Sequence, residues 1–224
     1  MKMKRGFKPF MPLLAAAALC GTVANVPIAS AVTIDINTCW TECNAPALPN
    51  VTVATLAFNN TVANTVQFTL TNTQSNLGAV SGSGAFISQL LFNYTGGSAL
   101  TFTKIDFPDV NNGGSFAQGS LTNAGLSFNL NLGLPTSNSG GGLKRFKDGE
   151  SLVWTLSGAG LDASDFSTAT NSTMVHIQAV DTRAGSTKYV NGGGSTVPEP
   201  ASVMLLGSGL VGIRLWGMKR RKNA

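Results

Sequence analysis

The chain has 224 residues, 43% of them hydrophobic and only 11% charged, with 26 glycines and three cysteines. A formal charge of +5 and a pI near 9.3 would ordinarily suggest a nucleic-acid or anionic-lipid partner. The distribution of charge excludes a nucleic-acid partner: nine of the fifteen basic residues lie at the two ends, and residues 32–196 hold six bases against nine acids, a net of −3.

At the front, Lys2, Lys4, Arg5 and Lys8 precede an apolar run over residues 12–28 that ends in Ala29-Ser30-Ala31. A basic start, an apolar stretch and a small-x-small site predict a Sec signal peptide over residues 1–31, helical, with Ala29 and Ala31 at the cleavage site. The mature chain then starts near Val32. Thr22-Val23-Ala24 is a competing site, and an uncleaved anchor is the alternative reading of so long a run; Leu19 before Cys20 speaks against a lipoprotein. Loss of the signal removes Cys20 and leaves Cys39 and Cys43 as an even pair in an oxidising compartment. A Cys39–Cys43 disulfide is expected, pinning the turn Trp40-Thr41-Glu42. Zinc would need two further ligands, and His176 is the lone histidine.

Residues 32–196 are enough for one domain with a real core. Two-residue alternation recurs along them: Leu126, Phe128, Leu130 and Leu132 alternate with Ser127, Asn129 and Asn131, and Val66, Phe68 and Leu70 alternate with Thr65, Gln67, Thr69 and Thr71. Less strict segments cover residues 51–58, 89–94, 100–107, 152–156 and 174–180. Glycine clusters separate them, at Gly82-Ser83-Gly84, Gly96-Gly97, Asn112-Gly113-Gly114, residues 139–142, Asp148-Gly149 and Gly192-Gly193-Gly194. Short strands that each bury one face pack as antiparallel sheets. The expected fold is all-β: a single antiparallel β-sandwich, jelly-roll-like, of about seven to ten strands.

Chemistry is sparse in this domain. A Ser-His-Asp or Cys-His site would have to use His176, and there is no Gly-x-Ser-x-Gly elbow. Asp106/Asp109, Asp148/Glu150 and Asp162/Asp165 are the local carboxylate pairs that a glycosidase would need, but each sits among turn formers, where aspartate caps backbone. Asp106, Asp109, Asn111 and Asn112 could ligate calcium in one loop, without EF-hand spacing. Trp40, Trp154, Tyr94 and Tyr189 are the candidates for a sugar-stacking surface; Trp154 follows the alternation of Leu152 and Leu156 into the core, which leaves Trp40 as the better exposed one. No catalytic residues, metal ligands or cofactor are assigned, and the chain is expected not to be an enzyme. A carbohydrate- or calcium-binding module is the alternative, and a secreted hydrolase a more distant one.

The tail, residues 197–224, has three parts. Val197, Pro198, Glu199 and Pro200 form a segment in which two prolines keep Glu199 extended. Residues 201–218 carry one ionised side chain, Arg214, and as a transmembrane helix would reach roughly 27 Å, barely a hydrocarbon core. Lys219, Arg220, Arg221 and Lys222 act as a stop-transfer cluster that holds the C-terminus in the cytoplasm. Arg214 lies about one turn from that end and can snorkel.

The order Val-Pro-Glu-Pro-Ala-Ser-x-x-Leu-Leu-Gly-Ser-Gly-Leu-x-Gly followed by Lys-Arg-Arg-Lys resembles the PEP-CTERM sorting domain of bacterial exported proteins. Arg214 departs from that family's uninterrupted apolar helix. The resemblance implies transient membrane insertion, recognition by an exosortase, removal of the helix near Pro198-Glu199-Pro200, and release to the cell surface or extracellular matrix. It also implies an association with exopolysaccharide and biofilm, so the expected partners are Sec machinery, exosortase and extracellular polysaccharide. Residues 147–180 more weakly resemble a pattern recurring in ectodomains of the same family, which supports the sandwich and supplies no activity.

Overall fold

A computed structural model describes residues 31–196, apart from 45–46, 83, 108–113, 138–143 and 182–184. Ten strands form the domain: β1 (Val32–Thr41), β2 (Ala54–Val62), β3 (Thr65–Asn72), β4 (Phe86–Phe92), β5 (Thr101–Asp106), β6 (Ser115–Asn123), β7 (Leu126–Gly133), β8 (Ser151–Ser157), β9 (Thr173–Gln178) and β10 (Ser186–Thr196). Two 3-10 segments, Gln74–Ser81 and Ala163–Asp165, interrupt them. The signal peptide with Ala29, the sorting segment Val197 to Pro200, the helix expected over 201–218 and the basic cluster Lys219 to Lys222 lie outside the described residues. Ala31 directly precedes β1. Among the described residues no helix is long and apolar enough to cross a membrane.

All the ladders are antiparallel, and they join every strand into one sheet in the order β5-β8-β3-β2-β1-β10-β9-β4-β7-β6. The expected all-β class holds, but the two-sheet, jelly-roll-like sandwich is corrected to one nearly closed, barrel-like sheet. The physical reason lies in β1 and β10. They pair with each other and bridge the half β5-β8-β3-β2 to the half β9-β4-β7-β6, which would otherwise be two sheets facing one another. Gly192-Gly193-Gly194, expected as a turn, lies inside β10.

The interior is filled by the inward residues of each strand. Phe68 sits at its centre, stacked on Trp154 at 5.4 Å, edge-on to Phe166 at 4.8 Å, and within 5.6 Å of Phe58 and Phe92. Edge-to-face and offset ring pairs add to simple burial, so this cluster is a principal source of the domain's cohesion. Trp154 is fully buried, as its alternation with Leu152 and Leu156 implies, and its indole N–H has no protein acceptor.

The β6–β7 hairpin does not remain in the barrel wall. One extra residue on β6 between Gln118 and Leu121 bends it. Beyond the bend, Phe128, Leu121, Ala124 and Leu126 cover a second small core made by Leu91 of β4, Met174 of β9 and Val190 of β10. The outer arm thus crosses β4, β9 and β10, and its tip reaches β1, where the Trp40 Nε1–H donates to the Ala124 carbonyl at 2.9 Å. Asn123 Nδ2–H donates to Gln89 Oε1 on the way. This crossing explains why Leu91 and Met174, on the outer face of their strands, are nevertheless buried.

Side chains close the gap between the two edge strands. Phe102 of β5 and Phe116 of β6 stack at 5.2 Å with 6° between their planes. Leu100 N–H donates to Gln118 Oε1 and Gln118 Nε2–H to the Ser98 carbonyl, so one amide side chain takes the place of a ladder rung. Register shifts in both strands, together with Lys104 and Asp106, discourage a foreign strand from adding to either edge.

Candidate binding groove

At the pole where β4 and β8 end, a shallow groove of about 450 Å3 runs between the loop after β4 and the bend of the β6–β7 arm. Asn93, Tyr94 and Gly96 form one wall, Gln118, Gly119 and Ser120 a second, and Ser127, Phe128 and Asn129 a third. The volume falls within the roughly 300–1,000 Å3 typical of small-ligand sites.

Three carboxamides build the site. Asn129 of β7 accepts the Tyr94 N–H at 2.8 Å through Oδ1 and donates Nδ2–H back to the Tyr94 carbonyl, so it grips the loop as a further strand would. Asn93 Nδ2–H donates to the Ser127 carbonyl at 3.2 Å. Gln118 closes the seam, as described above. On its other side the loop is held by Thr95 N–H to the Asp165 carbonyl and Ser167 N–H to the Asn93 carbonyl. Tyr94 is buried against Phe166, its hydroxyl shared with Ser98, and Gly96 folds over the tyrosine ring where a Cβ would collide with it.

Each carboxamide has hydrogen-bonding capacity beyond these bonds, and the Ser120 and Ser127 side chains are exposed at the rim. None of the lining side chains is ionised. The arrangement offers donors and acceptors without a net charge, above the buried rings of Tyr94 and Phe128. Such a lining can hydrogen-bond a neutral ligand that carries hydroxyl or amide groups.

Of the residues singled out in the sequence, Tyr94 lines the groove and the others lie apart from it. Cys39 and Cys43 are bonded, S–S 2.09 Å with their Cα atoms 5.9 Å apart, and close the turn that carries Trp40. Glu42 takes a positive φ there, and Thr187 Oγ1–H ties the turn to β10 through the Thr41 carbonyl. Trp40 is 39% exposed, but its indole N–H is committed to the arm tip. His176 projects from the outer face of β9 between Gln89 of β4 and Lys188 of β10. Burial first, and the Lys188 charge second, hold its pKa below the ordinary histidine value.

The carboxylates serve turns. Asp148 accepts the Ser75 N–H, Glu150 the Lys147 N–H, and Asp162 and Asp165 form a reciprocal capping box around their 3-10 turn. The Ser164 backbone and side chain, with Asn60, hold the Asp162 carboxyl below its usual pKa. Of the calcium candidates only Asp106 lies among the described residues, which contain no cluster of three or more His, Cys, Asp or Glu able to hold a metal.

Apart from Tyr94, the groove residues escaped sequence reasoning because Asn129 and Ser127 read as the solvated face of an alternating strand, and residues 115–123 show no alternation. A further usable signal was Gly119 beside Gln118, a glycine inside a polar stretch.

A family model, the PEP-CTERM protein-sorting motif, matches residues 196–222. The chain therefore carries this motif at its C-terminus, where Pro198, Glu199, Pro200, the apolar stretch and the basic cluster fall. The motif implies an exported protein that is processed by an exosortase and sorted to the cell surface. No curated protein and no solved structure matches the chain.

Proposed function

For a chain that ends in this sorting motif, we propose that the exported domain is a non-enzymatic surface or matrix protein that associates with neutral exopolysaccharide through the amide-lined groove. The observation that carries this reading is the groove itself: carboxamides and serine hydroxyls, with no ionised side chain in its lining. An association of this kind suits a biofilm matrix, in which many weak sites along one polymer add by multivalency. The low-charge Thr/Asn/Ser strand faces are compatible with the same hydrated surroundings.

The test is affinity electrophoresis of the exported domain through gels containing neutral or acidic polysaccharides, supported by a glycan array. Retardation by neutral glycans is expected. Ser127→Trp fills the groove from an exposed position and should abolish retardation without changing the melting temperature. Equal mobility of the parent domain in all gels, or retardation unaffected by Ser127→Trp, would overturn the reading. Hydrolysis of any glycan on the array would favour the enzymatic alternative.

A further inference from the structure

β10 is flanked on both sides for only part of its length. Its pairs with β9 run from Ser186 to Val190. From Asn191 onward its pairs are to β1, at Ile36↔Asn191, Ile34↔Ser195 and Thr33↔Thr196. Between the first two of these, β1 advances two residues while β10 advances four. The surplus falls in Gly192-Gly193-Gly194. Glycines have no side chain to pack and lose the most freedom on ordering, so the two pairs beyond them are weakly held.

Gly192 is the exception within the run. Its N–H donates to Asn37 Oδ1 at 3.1 Å, and a Cβ there would collide with Thr38 Oγ1 and Asn37 Oδ1. The backbone at this residue is seated on β1. The seat ends with it.

The sorting motif begins at Thr196, the last residue of the same strand, and a single residue separates it from Pro198. With β10 paired to its end, Glu199 lies three residues beyond the sheet, a reach of about 11 Å at most. A membrane enzyme that acts in that segment would meet the bulk of the barrel. Opening residues 193–196 lengthens the free chain by about 14 Å.

We propose that residues 193–196 unzip from β1 when the sorting motif is engaged by the exosortase, with Gly193 and Gly194 as the hinge and the Gly192–Asn37 contact as the stop. The barrel survives this opening because β1 and β10 stay paired from Ile36 to Thr41. The glycine run is thus a presentation device for the sorting motif. It is independent of what the groove binds.

Deleting Gly193 and Gly194 tests the hinge, because it leaves two residues opposite two and keeps every strand residue on its own face. In cells with an active exosortase, the full-length deletion variant should be processed about ten-fold more slowly, read as the ratio of precursor to processed chain. Inserting Gly-Ser-Gly-Ser between Thr196 and Val197 of that variant should restore the rate by supplying the lost reach. Parental processing of the deletion variant would overturn the proposal, as would failure of the insertion to restore it. A second measurement does not depend on the variants. Hydrogen exchange on the full chain in detergent should be about ten-fold faster at residues 193–196 than at 186–190, and equal protection of the two stretches would overturn the proposal.

Discussion

If side chains close the barrel between β5 and β6, Phe102 and Phe116 should be energetically coupled. Their rings stack at 5.2 Å and 6°, and both are half-buried against the main core. Full burial of a phenylalanine contributes up to about 3 kcal/mol, so half-burial makes each ring worth about 1–1.5 kcal/mol, and the stack adds about 1 kcal/mol. Phe102→Ala should cost slightly more than Phe116→Ala, because Phe102 also meets Phe107 edge-on at 6.2 Å. Each single variant should lose about 2 kcal/mol and the double variant about 3, since the stack is lost only once. For a domain of this size the single losses correspond to about 4–8 °C in melting temperature. Urea unfolding followed by fluorescence is a suitable assay, because Trp154 packs on Phe107 and Phe68. Losses that add to within about 0.3 kcal/mol would refute closure by ring stacking and leave the edges of the sheet independent.

Three further outcomes are expected. Ala124 and Gly125 both take positive φ at the arm tip, 51° and 79°, the pattern of a type I′ turn in which alanine is strained; Ala124→Asn should stabilise the domain by about 1 kcal/mol, seen as a higher melting temperature. Replacing both Cys39 and Cys43 by serine removes a five-residue covalent loop, and the loss should not exceed about 2 kcal/mol in urea titrations, far less than a staple across the whole domain. The folded-state pKa of His176 is depressed by burial and by Lys188, so below about pH 6.5 the unfolded chain binds a proton that the folded chain refuses. Stability should therefore fall as pH drops from about 7 to 5, and His176→Gln should flatten that slope in melts across the range; an unchanged slope would place the titration elsewhere.

How much was legible in the sequence differs between elements. β7 and β3 declared themselves because Phe128, Leu130 and Leu132, and Val66, Phe68 and Leu70, keep strict alternation. β1 alternates only through Ile34 and Ile36 before the cysteine turn, and β10 contains three glycines, so neither stood out as a strand. Leu91 and Met174 are buried outside the barrel by an arm that bends at an extra residue, and no periodic pattern reports a strand folding over its own sheet. The groove depends on that same bend. Its carboxamides look like ordinary solvated residues until the loop after β4 is brought beside β7.

By itself the sequence determined the chain's destination and the type of its secondary structure. A sorting motif is contiguous, and alternation is a local consequence of the two-residue repeat, so neither requires knowledge of what lies across the molecule. The tertiary structure decided that the strands form one nearly closed sheet, that an arm covers its outer face, and that three carboxamides meet in a groove. Each of these depends on which strands pair. That choice was made by β1 and β10, the first and last strands of the domain, whose pairing joins two halves that local pattern alone leaves separate.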